Sequence, residues 1–376
     1  MSESRGPVGI AVVGTGSISP EYLRNLTAFP DVEVRWVVGR DQDRAAARAA
    51  EFAVPRYGSL EDAIKDDSVE IVVNLATPAA HLEVGLAALD AGKHVWSEKP
   101  LAVDPQSART LMQKASECGL RVSVAPDTTL GPALQSARAA IDRGEIGHPV
   151  YATTSFESSG PEMWHPDPEF LYEVGAGPLY DVGPYFIGGL VHLLGTVSRV
   201  SAAATRGSST RVIASGPKAG SRFPVLVPTT VIATLEFENG AIAGARFSFD
   251  SIGSGTGNLD VIGTDGLLSA LSHEQLFDHP GKVRRRNGEA VTLQAETTPF
   301  RRGLGVIDLA RSIREAKPDR TPGELGLHVL EVLAAIDEAS RAGESIAVES
   351  KAPLVASMDS SWDPMVETLG RDRGKD

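Results

Sequence analysis

The chain has 376 residues, of which 42% are apolar and 23% are charged, a composition typical of a soluble protein with two domains of ordinary size. A net charge of −13 argues against nucleic-acid binding, and a single cysteine, Cys118, excludes an internal disulfide and a thiolate zinc cluster, so no metal site is predicted. No apolar run approaches the roughly 20 residues of a membrane span, and the segment MSESRGP lacks the apolar core of a signal peptide, so we expect a cytoplasmic protein.

The first predicted element is the apolar run from Val8 to Val13, which is typical of a strand buried on both faces. A turn containing Gly14 and Gly16 follows the strand, and a helix is predicted from Ser19 to Phe29. A strand, a tight turn and a helix N-terminus together form a cradle for the pyrophosphate of a dinucleotide, although Ser19 replaces the third glycine of the fingerprint. The residues predicted to contact the cofactor here are Gly14, Thr15, Gly16, Ser17 and Ile18.

Strands and helices then alternate as far as Ala125. Strands are predicted at Val32 to Val38, Ile71 to Leu75, His94 to Trp96 and Arg121 to Ala125. Helices are predicted at Asp41 to Phe52, Ala79 to Ala91 and Asp104 to Cys118. This alternation predicts an α/β domain with a doubly wound parallel sheet, and ligands of such sheets bind at the carboxyl ends of the strands.

The end of the second strand bears on the choice between NADP and NAD. An acidic residue that binds the ribose of NAD is missing there, because Gly39 occupies about its place and Arg40 follows. A small residue followed by arginine suits the 2′-phosphate of NADP, so NADP is favoured and Arg40 is predicted to bind it. Asp41 or Asp43 could still reach the ribose, so NAD stays open as an alternative.

The ends of the third and fourth strands supply further candidates. Ala76-Thr77-Pro78 follows the third strand, and His81 comes one turn into the next helix. Glu98-Lys99-Pro100 follows the fourth strand, where a lysine held by the adjacent proline projects into the crevice. The cofactor-binding set is therefore extended by Ala76, Thr77, Pro78, His81, Glu98 and Lys99.

These motifs resemble the Gfo/Idh/MocA family of oxidoreductases, above all in the run GKHVWSEKPLA from Gly92 to Ala102. The resemblance implies an enzyme that acts on sugars, sugar derivatives or cyclitols with NAD or NADP, and it makes Lys99 an active-site residue. It also implies an N-terminal Rossmann domain over residues 1–126. The C-terminal α+β domain over residues 127–376 would then contain a large, mostly antiparallel sheet that binds substrate and carries subunit contacts.

The sequence of the second domain agrees with such a sheet. Two alternating runs, Thr229 to Phe237 and Ala241 to Phe249, flank Asn239-Gly240, which is a strong hairpin signal. The serine- and glycine-rich segment from Gly207 to Gly220 is predicted to be a mobile loop. Further strands are predicted at Pro149 to Phe156, Val197 to Ala204 and Leu259 to Ile262. Helices are predicted at Pro132 to Arg143, Gly305 to Glu315 and Gly323 to Ala342, with fraying from about Gly370.

A second constellation lies between Gly175 and Gly195. Asp181 and Tyr185 are predicted one turn apart on one helix face, and Pro184 should kink that helix or delay its start. Asp181 and Gly183 match the family pattern, but Tyr185 stands where the commoner pattern has histidine, as in the glucose–fructose oxidoreductase branch. His192, further along the helix, is expected to be a core or interface residue.

The resemblance and the residue types together predict the chemistry. Oxidation of a secondary alcohol releases a hydride and a proton, and a lysine and a tyrosine beside the alcohol can share that proton. We therefore predict that Lys99, Asp181 and Tyr185 are catalytic, with Asp181 holding the substrate hydroxyl or the lysine. A sugar ring could stack on Trp164 or Tyr172. The predicted substrate-binding residues are Lys99, Asp127, Trp164, His165, Asp181 and Tyr185.

Two other functions stay open at this point. One is a glycosidase that uses tightly held NAD for transient oxidation, and the other is a ligand-sensing regulator on the same fold. The presence of Lys99 favours an enzyme over the regulator. A homodimer or homotetramer is expected, because family members commonly pair through the sheet of the second domain.

Overall fold

The computed structural model describes residues 6–252, 256–271, 277–294, 301–355, 357–359 and 361–370. The chain divides into two compact units. The first comprises Met1–Gly131, Thr297–Leu327 and Met358–Asp376, and the second comprises Pro132–Glu296 and His328–Ser357. The predicted boundary at residues 126 and 127 placed every later residue in the second domain, whereas here two later segments return to the first unit.

The first unit contains a six-stranded parallel sheet with the order β3-β2-β1-β4-β5-β6. Every residue of the central strand β1 is buried, as its unbroken apolar run predicts. The strands are β1 (Val8–Val13), β2 (Val32–Val38), β3 (Arg56–Gly58), β4 (Ile71–Asn74), β5 (His94–Ser97) and β6 (Val122–Val124). The doubly wound order confirms the predicted fold class and brings the ends of β1 and β4 side by side.

Five helices connect these strands. Asp41, Ser59 and Asp104 each accept a backbone hydrogen bond at a helix N-terminus, and Gly119 ends a helix in the left-handed conformation. The helices are α1 (Ser19–Leu26), α2 (Gln42–Glu51), α3 (Leu60–Ile64), α4 (His81–Asp90) and α5 (Pro105–Cys118). A 3₁₀ turn at Pro78–Ala80 precedes α4. Strand β3 and helix α3 are absent from the predicted elements because each is too short to show a period.

The second unit contains a nine-stranded sheet in which only the β7–β12 pair is parallel. Its order is β16-β15-β14-β13-β7-β12-β11-β8-β17, and a separate ribbon pairs β9 with β10. The strands are β7 (Pro149–Glu157), β8 (Val197–Thr205), β9 (Thr210–Val212), β10 (Arg222–Pro224), β11 (Thr230–Phe237), β12 (Ile242–Ser248), β13 (Thr256–Gly263), β14 (Gly266–Leu271), β15 (Lys282–Arg285), β16 (Ala290–Thr292) and β17 (Ile346–Ala347). The mixed, mostly antiparallel sheet was predicted.

Two local predictions for this unit have clear outcomes. The hairpin at Asn239-Gly240 is confirmed, since β11 and β12 pair in register and Gly240 has a φ of 87°. The segment from Gly207 to Gly220, predicted to be a mobile loop, contains a strand that was not predicted, because β9 lies inside it and pairs with β10. Charged contacts made by Arg211 hold the ribbon, and their partners are distant in sequence.

Three helices belong to the second unit up to Leu194: α6 (Pro132–Asp142), α7 (Gly177–Asp181) and α8 (Gly183–Leu194). The helix is interrupted at Val182, between α7 and α8 and two residues before Pro184. This is expected because proline has no backbone N–H to donate. Two more helices follow, α9 (Leu304–Glu315) and α10 (Gly323–Ala342).

Helix α9 shows why the first unit is discontinuous in sequence. The apolar face of α9, from Leu304 to Ala310, packs into the core that contains Leu26, Phe29 and Trp96. Arg311 of the same helix donates to the buried Asp31 at 2.7 Å. The fraying predicted from about Gly370 falls on residues 371–376, which lie outside the described residues.

Candidate active site

A cavity of about 1120 Å³ opens in the first unit where β1, β2 and β4 end. Nine of the predicted cofactor residues line it: Gly14, Thr15, Gly16, Ser17, Ile18, Arg40, Ala76, Thr77 and Pro78. Asp41, the alternative ribose ligand, lines it as well, together with residues that were not assigned to the cofactor, including Gln42, Arg44, Ser59 and Glu83. A cavity at the carboxyl ends of parallel strands is where a dinucleotide binds in this kind of sheet.

The glycine-rich turn has the shape of a phosphate cradle. Gly14 has a φ of 120°, and a Cβ there would collide with the carbonyl oxygen of Leu75. A Cβ at Gly16 would meet no atom within 4 Å, so this backbone faces open space that a phosphate can approach. No side chain caps the first turn of α1, and the Ser19 hydroxyl donates to the Gly16 carbonyl at 2.9 Å. The turn and the helix N-terminus therefore fit a pyrophosphate.

Two arginines that follow β2 in the chain lie beside the cavity. Arg40 and Arg44 are both exposed and line the cavity, and the Arg44 guanidinium donates to the Thr15 carbonyl at 2.9 Å. The Asp41 carboxylate accepts the Arg44 backbone N–H through Oδ1 at 3.0 Å as the N-cap of α2. Arg44 was missed although it lies one turn after Arg40 on a predicted helix, and that spacing could have revealed it.

The Glu98-Lys99-Pro100 segment continues directly from β5. Glu98 accepts from the Tyr22 hydroxyl at 2.7 Å and from the Lys99 backbone N–H at 2.9 Å, so its carboxylate holds the backbone that carries Lys99. Lys99 is half-buried, and the Lys99–Pro100 peptide bond is cis. Glu98 and Lys99 do not line the cavity, and their contact with cofactor stays a prediction.

His81 is placed differently from its prediction. The side chain is buried and does not line the cavity, and its two ring nitrogens face the carbonyl oxygens of Pro100 and Ala76. Burial lowers the pKa of His81, and the two carbonyl contacts oppose that shift. The predicted contact of His81 with the cofactor stays a prediction, and the burial of the ring weighs against it.

Asp127 is also buried rather than exposed to a ligand. It has no exposed surface, and its Oδ2 accepts the Gly303 N–H at 2.7 Å. Burial raises the pKa of Asp127 to about 6, with Glu98 adding to the rise and Arg302 opposing it. Its predicted substrate contact stays untested, and the burial weighs against it.

The second constellation lies in the second unit. Asp181 ends α7 and Tyr185 lies in the first turns of α8, and both side chains are half-buried. The Tyr185 ring packs against Phe277 with ring centroids 6.1 Å apart, and the Tyr185 N–H donates to the Val182 carbonyl at 3.1 Å. The interruption at Val182 therefore sets where α8 begins and where Tyr185 lies on it.

Trp164 and His165 lie in a loop that exposes Trp164 and leaves His165 half-buried. Trp164 is 68% exposed, and its ring meets that of His165 edge-on, with His165 in turn meeting Phe170 in the same way. The Asp167 N–H donates to His165 Nδ1 at 3.0 Å, so a neutral His165 carries its proton on Nε2, where it can donate outward. Tyr172, in contrast, is fully buried against Glu162 and is not available for stacking as predicted.

His192 is a buried core residue, as expected. It is 4% exposed, and neither ring nitrogen has a hydrogen-bond partner among the described residues. Burial lowers the pKa of His192 to about 4.

Within the described ranges, no group of three or more His, Cys, Asp or Glu side chains is arranged to hold a metal ion. Among these same residues, no helix combines the length and apolar character needed to cross a bilayer.

Two family models match the chain. The model described as "Oxidoreductase family, NAD-binding Rossmann fold" matches residues 8–126, and the model of the GFO/IDH/MocA C-terminal domain matches residues 134–269. Together they cover both units' sheets from β1 to β13 and the glycine-rich turn.

Named relatives are similar over different lengths. D-xylose 1-dehydrogenase (NADP(+)) 2 of Haloferax volcanii is 26% identical over 92% of this chain and 99% of its own length. Inositol 2-dehydrogenase of Salmonella typhimurium is 31% identical over 43% of this chain, and the alignment spans about half (49%) of that protein. The solved structure of an NAD-binding oxidoreductase from Klebsiella pneumoniae is 25% identical, with a TM-score of 0.79 over 92% of this chain and 100% of that one.

Proposed function

The chain belongs to the Gfo/Idh/MocA family of oxidoreductases, and from that premise we propose that it transfers a hydride between NADP and a secondary alcohol or ketone of a sugar, sugar derivative or cyclitol. The observation that carries the proposal is the cavity whose glycine turn, uncapped helix and paired arginines fit an NADP molecule. The relatives named as D-xylose and inositol dehydrogenases support the substrate class.

NADP is proposed over NAD on the chemistry of the cavity at β2. Arg40 and Arg44 both line the cavity and place two positive charges beside the single Asp41 carboxylate, which suits an anionic 2′-phosphate. Gly39 presents no side chain to a ribose, and a Cβ at that position would lie 3.0 Å from the Thr15 methyl group. The relative from Haloferax volcanii is itself named for NADP.

Catalysis is proposed to use Lys99, Asp181 and Tyr185. The nicotinamide supplies the hydride acceptor or donor when it is bound. Lys99 and Tyr185 share the proton of the alcohol, and Asp181 orients the hydroxyl or the lysine. Exposed Trp164 offers a ring face for the apolar side of a sugar, and His165 Nε2 can donate to a hydroxyl.

The test combines cofactor identification with turnover. Mass spectrometry of the freshly purified, denatured protein would show which nucleotide it carries, and NADP is expected. Aldoses, ketoses and cyclitols would then be screened with NADP and with NAD, following the absorbance of the reduced nicotinamide. Turnover with NADP on at least one polyol supports the proposal. Release of an aglycone without net cofactor reduction would identify a glycosidase, and binding of sugar without any turnover would overturn the enzymatic proposal.

A further inference from the structure

His81 makes an unusual pair of contacts at the start of α4. Its side chain is only 1% exposed, and each ring nitrogen lies within hydrogen-bond distance of a backbone carbonyl oxygen. Nδ1 lies 2.7 Å from the Pro100 oxygen, and Nε2 lies 3.0 Å from the Ala76 oxygen. Both partners only accept hydrogen bonds, so the ring is the only possible donor in either contact.

The two carbonyls belong to segments with different roles. Ala76 is the first residue of the Ala76-Thr77-Pro78 wall of the cofactor cavity, and Pro100 directly follows Lys99. Asn74 strengthens the first connection, because its amide donates to the His81 carbonyl at 3.1 Å and its oxygen accepts the Ala76 N–H at 3.2 Å. The imidazole therefore joins the cavity wall to the turn that carries Lys99, and every one of these residues lies in the first unit.

The geometry constrains the charge of the ring. A neutral imidazole has one N–H and can donate to one carbonyl, whereas the imidazolium can donate to both. The pKa of His81 is lowered from its ordinary value, because burial outweighs the opposing effects of the two carbonyls and of the negative charge of Glu98. Glu98 is the charged side chain whose field acts on the ring, and its carboxylate accepts from Tyr22 and from the Lys99 backbone. The ring is thus a proton-binding group between two carbonyls, and it takes up its second proton only at a pH below the ordinary histidine pKa.

We propose that His81 is a positioning residue whose imidazolium clamps the Ala76-Thr77-Pro78 wall to the Lys99-Pro100 turn, and that loss of its proton releases the wall. The expected effect on NADPH binding rests on the proposed function, whereas the clamp itself does not depend on it. The wall is released rather than the turn because the Nδ1 contact with Pro100 is the shorter one and keeps the remaining proton. In the neutral ring, the Nε2 lone pair then faces the lone pairs of the Ala76 oxygen, and this contact becomes repulsive.

Release of the wall, rather than of the turn, has a specific functional consequence. Thr77 and Pro78 line the cavity, so deprotonation of His81 should weaken NADPH binding. Lys99 keeps its backbone support from Pro100 and Glu98, so kcat should change less than the affinity for cofactor. The expected weakening is about 2- to 10-fold, the size of one net hydrogen bond.

The first test observes the proton directly and requires neither substrate nor turnover. Histidine labelled with ¹⁵N in the ring would be followed by NMR from about pH 5 to about pH 8.5. The His81 ring would be assigned by contacts to Pro100 and by its absence in His81→Gln. Two protonated nitrogens at acidic pH, changing to an Nδ1–H tautomer at alkaline pH, are expected. A single neutral tautomer over the whole range would overturn the proposal, as would retention of the proton on Nε2.

The second test measures NADPH affinity by fluorescence titration over the same pH range. Wild-type affinity should fall as His81 loses its proton, whereas His81→Gln should bind more weakly at acidic pH and show no such dependence. His279→Gln is the matched control, since His279 is exposed, and it should keep the wild-type profile. Equal pH profiles for wild type and His81→Gln would overturn the proposed release of the wall. Absence of NADPH binding at every pH would contradict the proposed function, while the NMR titration would still decide whether the clamp exists.

Discussion

Arg40 is the residue expected to decide between NADP and NAD. It is exposed and lines the cavity, where it can pair with a 2′-phosphate. A charge-assisted hydrogen bond contributes roughly 1.5–3 kcal/mol, so Arg40→Ala should weaken NADPH binding about 10- to 100-fold and leave NADH binding nearly unchanged. Titration of both cofactors measures this, with Arg24→Ala, an exposed arginine in the last turn of α1, as the control. Equal losses for the two cofactors would refute the role of Arg40.

Lys99 and Tyr185 are expected to act on one proton. Lys99→Ala should lower kcat by about 10²–10⁴, the usual contribution of general acid–base catalysis, and should still bind NADPH. Tyr185→Phe should lower kcat with little change in stability, and Tyr185→His should keep activity with a shifted pH profile. Because the two groups share a proton, the double variant Lys99→Ala with Tyr185→Phe should be scarcely slower than Lys99→Ala. Losses that multiply independently would instead mean that Tyr185 only packs against neighbours such as Phe277.

His192 predicts a pH dependence of stability. Burial lowers the pKa of the folded-state ring to about 4, below the ordinary value of 6.5. As pH falls between these values the unfolded chain takes up a proton that the folded ring does not, so stability is present above pH 6.5 and is lost toward pH 4. Relative to His192→Leu, wild type should lose about 3 kcal/mol over this interval. Urea unfolding of both proteins at about pH 7 and about pH 4.5 measures the difference, and equal losses would contradict it.

At the scale of elements, the β9–β10 ribbon braces the loop that carries Trp164 and His165. Arg211 of β9 pairs with the buried Glu162 at 2.8 Å and with Asp250, donates to the Phe249 carbonyl at 3.2 Å, and lies over the ring of Tyr172. The Tyr172 hydroxyl also donates to Glu162. Burial raises the pKa of Tyr172 well above its ordinary value, and this hydrogen bond raises it further. One arginine therefore ties a short ribbon, a loop and the end of β12 together.

Loss of that brace should be costly because it leaves the Glu162 charge buried without its partner. Arg211→Met is expected to lower the free energy of unfolding by about 3–5 kcal/mol. Arg341→Met is the matched control, since Arg341 is 72% exposed and pairs with Asp337 on the surface of α10, and it should cost less than about 1 kcal/mol. Urea denaturation compares the two variants. Similar small losses would show that Arg211 contributes no more than a surface ion pair.

At the scale of the whole molecule, the outer face of the large sheet is expected to bind a second copy of the chain. Alternate residues of β11 and β12 are buried, while Ile232 and Ile242 on the other face are 55% and 50% exposed. Tyr151 of β7 pairs in register with Ile242 and is 43% exposed, so the apolar groups continue onto a third strand. We propose a homodimer or homotetramer that covers this face.

Ile232→Glu tests the proposed pairing. A charge on the covered face would be desolvated in the assembly, so the variant should be monomeric at micromolar concentration where the wild type is not. Val103→Glu, which alters a residue 58% exposed in the first unit, should leave the assembly intact. Light scattering measures all three proteins, and a monomeric wild type would contradict the proposal.

Local patterns in the sequence determined much of the fold and the cofactor cradle. The apolar run of β1, the glycine turn and the Asn239-Gly240 hairpin each depend on residues close together in the chain, and each is found where it was predicted. The alternation of strands and helices likewise determined the parallel sheet, because short right-handed crossovers leave few other arrangements. The ligand-binding end of the sheet followed from that topology.

Only the tertiary structure decided which side chains are buried and what they hold. His81 and Asp127 were predicted to touch ligands, but packing buries both side chains and turns their polar atoms toward backbone groups. The backbone N–H that Asp127 accepts is 176 residues away in the sequence. The return of α9 to the first unit and the β9–β10 ribbon also depend on partners far away in the sequence. Most buried polar groups find a partner wherever the fold brings one, and no local pattern in the sequence records which segment that will be.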